Sequence, residues 1–213
     1  MRLIMHGVTA TLLALVCGGC MVAGALLSKT VGDPKNPADY QFGKDNTTAV
    51  LVEDYQNPGL HELESERLQR DLVADLKENK AGTFVDPQKV DELKSREPAK
   101  YQKMTLPEIA RDLGAKKVLY VNLAEFKAEP PPGSDIVHGY ARAYVKVVDA
   151  QSGRTLWPPD TSAGREIKLE TPDIKELETQ DKTDEKLYQR LTQKIATLFY
   201  ASPAEMKDGT EMQ

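Results

Sequence analysis

Hydrophobic and polar positions along the chain repeat with two different periods, and the switches between them mark out the elements. The run Ala49-Val-Leu-Val-Glu-Asp-Tyr55, closed by Gln56-Asn-Pro-Gly59, predicts a strand. From 60 to 78 apolar residues fall at Leu60, Leu63, Leu68, Leu72, Val73 and Leu76, near the helical period, so an amphipathic helix with one buried face is expected. Thr83-Phe-Val85 is a second short strand, and Asp86 before Pro87 is an N-cap for a helix through Val90 and Leu93. Residues 96–104 read as a polar connection. Thr105-Leu-Pro-Glu108 then has capping-box spacing for a helix through Ile109, Ala110 and Leu113 that stops at Gly114.

The strand 117–126 is apolar on both faces in its first half and alternates in its second, as a strand does on leaving a covered sheet centre. Pro130-Pro-Pro-Gly133 forms a stiff connection. Residues 136–148 alternate throughout: Val137, Gly139, Ala141, Ala143, Val145 and Val147 share one face, His138, Tyr140, Arg142, Tyr144 and Lys146 the other. Asp149-Ala-Gln-Ser-Gly153 is turn chemistry, with Arg154-Thr-Leu-Trp157 returning as the hairpin partner and 164–170 as an edge strand. A terminal helix over 184–200 carries Leu187, Leu191, Ile195 and Leu198 on one stripe. The order predicts an α+β fold, a mixed β-sheet with helices mainly on one face.

The first segment has a different character. Arg2 precedes the uncharged run Val8-Thr-Ala-Thr-Leu-Leu-Ala-Leu-Val16 and then Cys17-Gly-Gly-Cys20, the only two cysteines of 213 residues. A zinc site would have to draw its remaining ligands from three dispersed histidines or from carboxylates, and no metal is expected. A redox dithiol would need a preceding strand, which is lacking. A basic start, an apolar core and small residues before a cysteine instead resemble a bacterial lipoprotein signal, with Cys20 as the first mature residue, carrying acyl chains such as palmitate. Cys17 stands where leucine is usual. The alternative is an uncleaved membrane anchor, since 8–27 carries no charge and about twenty apolar residues span a bilayer. The expected organisation is a signal peptide over 1–19, a lipidated N-terminus and tether over 20–48, the domain over 49–200 and a disordered tail over 201–213. Either way the domain faces the periplasm or the exterior.

Charge narrows the partners. Removing 1–19 takes away Arg2 and no acid, so the formal charge moves from -5 to -6, and lysine and arginine are interspersed with acids, so no nucleic acid is expected. No phosphate-loop, dinucleotide, zinc-protease or nucleophile-elbow motif occurs, and neither enzyme activity nor a cofactor is expected. Glu53 and Asp54 are neighbours on a strand and point to opposite faces. Asp149 reads as the residue that closes a turn, and Trp157 as core. His138, Tyr140 and Tyr144 make an aromatic stripe that either meets a partner or packs under the terminal helix. Tyr140, Arg142 and Tyr144 are the candidate partner surface, for a protein or a second copy of the chain. The competing function is an unrecognised hydrolase or small-ligand-binding periplasmic domain, which requires a deep polar pocket with convergent titratable groups.

In Ile109-Ala-Arg-Asp-Leu-Gly-Ala115, the strand after it and Val147-Val-Asp-Ala-Gln-Ser-Gly-Arg-Thr-Leu-Trp157, the chain resembles a family of bacterial envelope lipoproteins. It includes the curli-secretion lipoprotein and the outer-membrane activators of peptidoglycan synthases, whose fold is like the N-terminal domain of the Tol-system propeller protein. The resemblance covers about 49–157 and implies an envelope assembly role in secretion, transport or wall synthesis. A curli-type channel needs long hairpins with spanning strands of about nine to eleven residues. Here the insertion points, 96–104 and 128–136, are short, polar and proline-bearing, so no pore is expected.

Overall fold

The computed structural model describes residues 35–44, 46–129, 138–170 and 180–203. The expected signal, Cys20, most of the tether, the Pro130–Gly133 connection and the tail from 204 lie outside the described residues. One compact unit begins at Asn36. Its elements are β1 (Lys35–Asn36), β2 (Thr47–Glu53), α1 (Glu62–Glu78), β3 (Thr83–Phe84), α2 (Pro87–Arg96), α3 (Pro98–Tyr101), α4 (Leu106–Asp112), β4 (Lys117–Glu129), β5 (His138–Asp149), β6 (Thr155–Trp157), β7 (Arg165–Glu170), α5 (Gln180–Ala196) and β8 (Ser202–Pro203). The main sheet runs β3-β2-β4-β5-β6, with β7 also on β5. The first three strands are parallel and the rest antiparallel, which makes the mixed α+β sheet expected from the order of elements.

Two apolar layers hold this sheet. On one face Val50, Val52, Leu119, Val121, Leu123 and the small residues of β5 pack under the long helices α1 and α5. On the other, Ala49, Leu51, Val118 and Tyr120 pack under α2 and α4 through Val90, Ile109 and Ala110. Both layers cross the start of β2 and β4, so β2 is buried without a break over 48–52. The local signals act as expected. Asp86 Oδ1 accepts from Gln88 N at 3.0 Å, and the Thr105 backbone N–H and hydroxyl both donate to Glu108 Oε2, at 2.7 and 2.8 Å. Those donors hold the Glu108 carboxyl below its usual range.

Several boundaries differ from expectation: the terminal helix spans Gln180–Ala196 in place of the expected 184–200, and Ser202–Pro203, expected to open a disordered tail, form β8 with Ser202 buried. The fold starts before residue 49: Phe42 is fully buried among Phe84 and Phe199, and Asp39 N and Tyr40 N both donate to Leu198 O. Residues 96–104 hold the short helix α3, whose Tyr101 packs with Met104 on the smaller core. Helix α1 begins at Glu62, leaving Leu60 and Leu63 exposed at 64% and 77% while Ser65 and Gln69 are buried. The reason is angular: five residues separate Leu63 from Leu68, which turns Leu63 by about 140° out of the buried stripe.

The edge along β5 is shared by β6 and then β7. Gly164 makes the re-entry possible, with φ at 105° and an added Cβ falling 2.9 Å from Val145 O. Between the long helices, Arg67 Nη2 donates to Glu185 Oε2 at 2.6 Å and its guanidinium lies 4.1 Å from the Tyr188 ring centroid.

The layering sets a stability contrast. Leu119→Ala, at a fully buried position, is expected to cost about 2–4 kcal/mol in urea unfolding, whereas Leu63→Ala should stay within about 0.5 kcal/mol. Acid titration tests the helix contact. Hydrogen bonding from Arg67, then from Gln189, lowers the Glu185 pKa. Its contribution is therefore present above the unfolded carboxyl value of about 4.3 and lost as pH falls through the lower folded value. Arg67→Gln should flatten that part of the stability-against-pH curve.

Candidate interaction surface

β5 has two unlike faces. Ala141, Ala143, Val145 and Val147 are fully buried under the long helices. Tyr140, Arg142 and Tyr144 point the other way, beyond the ends of the short helices, and are half-buried. The three residues of the candidate partner surface therefore share one sheet face, and α5 packs on the opposite one. The side chain of His138 lies outside the described residues.

The neighbouring strands complete the face. Arg142 stands between Glu125 on β4 and Lys168 on β7, and Tyr144 between Asn122 and Glu166. Tyr140 stands between Lys127 and Glu170. Each tyrosine or arginine is thus flanked by charge or amide across the ladder. Arg142 Nη2 donates to Glu125 Oε1, with both side chains about a third exposed. Tyr144 OH donates to Glu166 Oε1 at 3.1 Å, and Lys168 Nζ lies 3.2 Å from Glu166 Oε2.

A bulge makes this alignment. Leu123 pairs with Ala143, yet Glu125 pairs with Arg142, so Ala124 is the extra residue. Beyond it the facing of β4 inverts. Glu125 and Lys127 join the open face, and Phe126 stays under the helices with its ring 6.2 Å from that of Tyr188.

The open face continues toward the end of β2. Lys146 Nζ donates to Ser162 O at 3.2 Å and lies 5.3 Å from the Tyr120 ring centroid; desolvation by burial lowers its pKa. Tyr120 OH donates to Glu53 Oε1 at 2.9 Å, and its own pKa is raised, first by burial and then by that carboxylate. Asp54 is buried and closes a turn, accepting at Oδ1 from Gln56 N and Asn57 N, both at 2.9 Å. Glu53 and Asp54 thus serve separate contacts, as strand neighbours do. Asp149 closes the β5–β6 turn by accepting from Ser152 N and Oγ at 2.8 and 2.6 Å, and these donors lower its pKa. Trp157 is core, against Phe199.

Sequence reasoning placed Tyr140, Arg142 and Tyr144 but missed Glu125, Glu166 and Lys168. Alternation was the available signal for β7, and the bulge hid Glu125. Among the described residues no group of three or more His, Cys, Asp or Glu side chains could hold a metal, and no helix is long and apolar enough to cross a membrane.

No protein-family model matches the chain, and no curated protein matches it. Among solved structures it is similar to the lipoprotein GNA1162 of Neisseria meningitidis, at 15% identity and a TM-score of 0.47 over 71% of this chain and 98% of that one. It is also similar to the PelC dodecamer of Paraburkholderia phytofirmans, at 10% identity and a TM-score of 0.44 over 78% of this chain and 97% of that one.

Proposed function

We propose that this protein is a bacterial envelope lipoprotein, acylated at Cys20, whose domain acts as a non-enzymatic interaction module in a cell-envelope assembly for secretion, transport or wall synthesis. The anchoring half of the reading rests on the lipoprotein-like signal: each buried methylene contributes about 0.8 kcal/mol, and stable attachment takes more than one chain. The interaction half rests on the open face of β4, β5 and β7, where two tyrosines and an arginine are displayed on a rigid sheet. Tyrosine and arginine are enriched where interfaces concentrate their binding energy, and a rim of charge is typical of such patches. The partner is another envelope protein or a second copy of the chain.

Two measurements test the two halves. Cys20→Ala should yield soluble or uncleaved protein that takes up no radiolabelled palmitate, while Cys17→Ala changes little; labelling of the Cys20 variant refutes the anchor. Tyr140→Ala with Arg142→Ala should keep native circular dichroism and lose co-purification of partners or self-assembly. The Arg142–Glu125 pair is a third exposed, so its loss should change stability little. Retained assembly at wild-type strength refutes the surface role.

A further inference from the structure

The described residues expose few large apolar side chains: Tyr55 at 73%, Leu60 at 64%, Leu63 at 77% and Leu156 at 39%. Three of these four fall in one nine-residue stretch, the turn from β2 into α1. Leu60 and Leu63 are one turn apart at the helix start, where Leu60 N donates to Asn57 O and Ser65 N to His61 O.

The turn is pinned. Asp54 is buried and accepts two backbone N–H groups and, at 3.3 Å, Asn57 Nδ2. Tyr55 N donates to Asn122 Oδ1 at 2.9 Å, which ties the turn to β4. A backbone held this way loses little conformational freedom when something binds its side chains. The leucines do no packing work in return. Leu60 precedes an N-cap, His61, that makes no side-chain capping bond, and its staple position four residues into the helix is the buried Ser65.

Charge selects the occupant. From Glu53 to Glu66 the chain carries Glu53, Asp54, Glu62, Glu64 and Glu66 and no lysine or arginine. Glu62 and Glu64 sit in the first turn of α1, on the exposed helix start between which Leu63 projects. The turn follows the carboxyl end of β2, whereas the chain enters the domain beside the amino end of that strand, where Lys117 Nζ holds Phe42 O at 2.7 Å. A strand of seven residues separates the two ends by roughly 20 Å. An apolar stretch flanked by the carboxylates of Glu62 and Glu64 is unsuited to an anionic lipid surface and suited to a cationic one on a protein.

The geometry points to a second docking surface on this domain: the β2–α1 turn, through Tyr55, Leu60 and Leu63, receives an apolar protein segment flanked by lysine or arginine. It is separate from the face of Tyr140, Arg142 and Tyr144 and stands or falls without it.

The test couples the full-length acylated chain to a sensor through its carboxyl terminus, in a fixed concentration of non-ionic detergent. Two amphipathic peptides are titrated, one of leucine and lysine and one of leucine and glutamate. The lysine peptide should bind at least about tenfold tighter, a difference of about 1.4 kcal/mol, and the gap should shrink with added salt. Leu60→Ser with Leu63→Ser should weaken it about tenfold with unchanged circular dichroism, and Glu62→Lys with Glu64→Lys should reverse the order of the two peptides. Tyr140→Ala with Arg142→Ala should leave all of this as it is. Equal binding of the two peptides, or binding untouched by the leucine changes, overturns the proposal. So does leucine-dependent capture of phosphatidylethanolamine-containing vesicles, measured separately without detergent, that ignores the charge reversal, which would make the occupant a lipid surface. Leucine-dependent self-association in sedimentation overturns it too, since the occupant is then a second copy.

Discussion

Burial of β4 on both faces is the constraint on which the rest of the structure depends. Its first half lies between β2 and β5 in the sheet and between two helix layers across it, so Val118, Leu119, Tyr120 and Val121 are all buried. A strand so enclosed must be apolar at consecutive positions, and its backbone groups must all find partners in neighbouring strands. Parallel pairing with β2 requires a crossover, and the crossover carries α1 onto one face and α2 and α4 onto the other. One strand's environment thereby dictates both cores.

The short layer then runs out before the strand does. The helices α2 and α4 have ten and seven residues, while β4 has thirteen, so the second half of β4 and most of β5 run past these two helices, and the side chains on that face are half-buried among the described residues. The bulge at Ala124 sits at this boundary. Without it, Phe126 would lie on the other face opposite Tyr140 and Glu125 would enter the core under α5. With it, the apolar ring stays inside and the carboxylate meets a guanidinium. The open face is thus a consequence of unequal layers, and its ion pairs, all partly exposed, contribute little to stability.

What could be read in advance follows the same division. The double-sided strand, the caps at Asp86 and Thr105, the alternation of β5 and the turn at Asp149 are local or strictly periodic signals, and each lies where the residues put it. The failures are tertiary. Phe42 sits in a polar stretch without periodicity, and only the aromatic contacts with Phe84 and Phe199 make it core. Leu63 is apolar and near the helical period, yet a turn of about 140° takes it off the buried stripe, which gives Gln69 its place inside. Glu125 was invisible because one inserted residue reverses the facing of everything after it.

The amino-terminal end of the domain is fastened at several points. Asp39 and Tyr40 hang from Leu198 O beyond the end of α5, Arg165 at the start of β7 pairs with Asp39, and Lys117 at the start of β4 holds Phe42 O. The segment that enters the domain therefore bonds to the turn after the terminal helix, the edge strand and the central strand within a few residues. Both candidate surfaces sit on elements joined to that sheet: the tyrosine face on β5 and the apolar turn through Asn122 of β4. A partner bound at either surface would therefore bear on the same sheet.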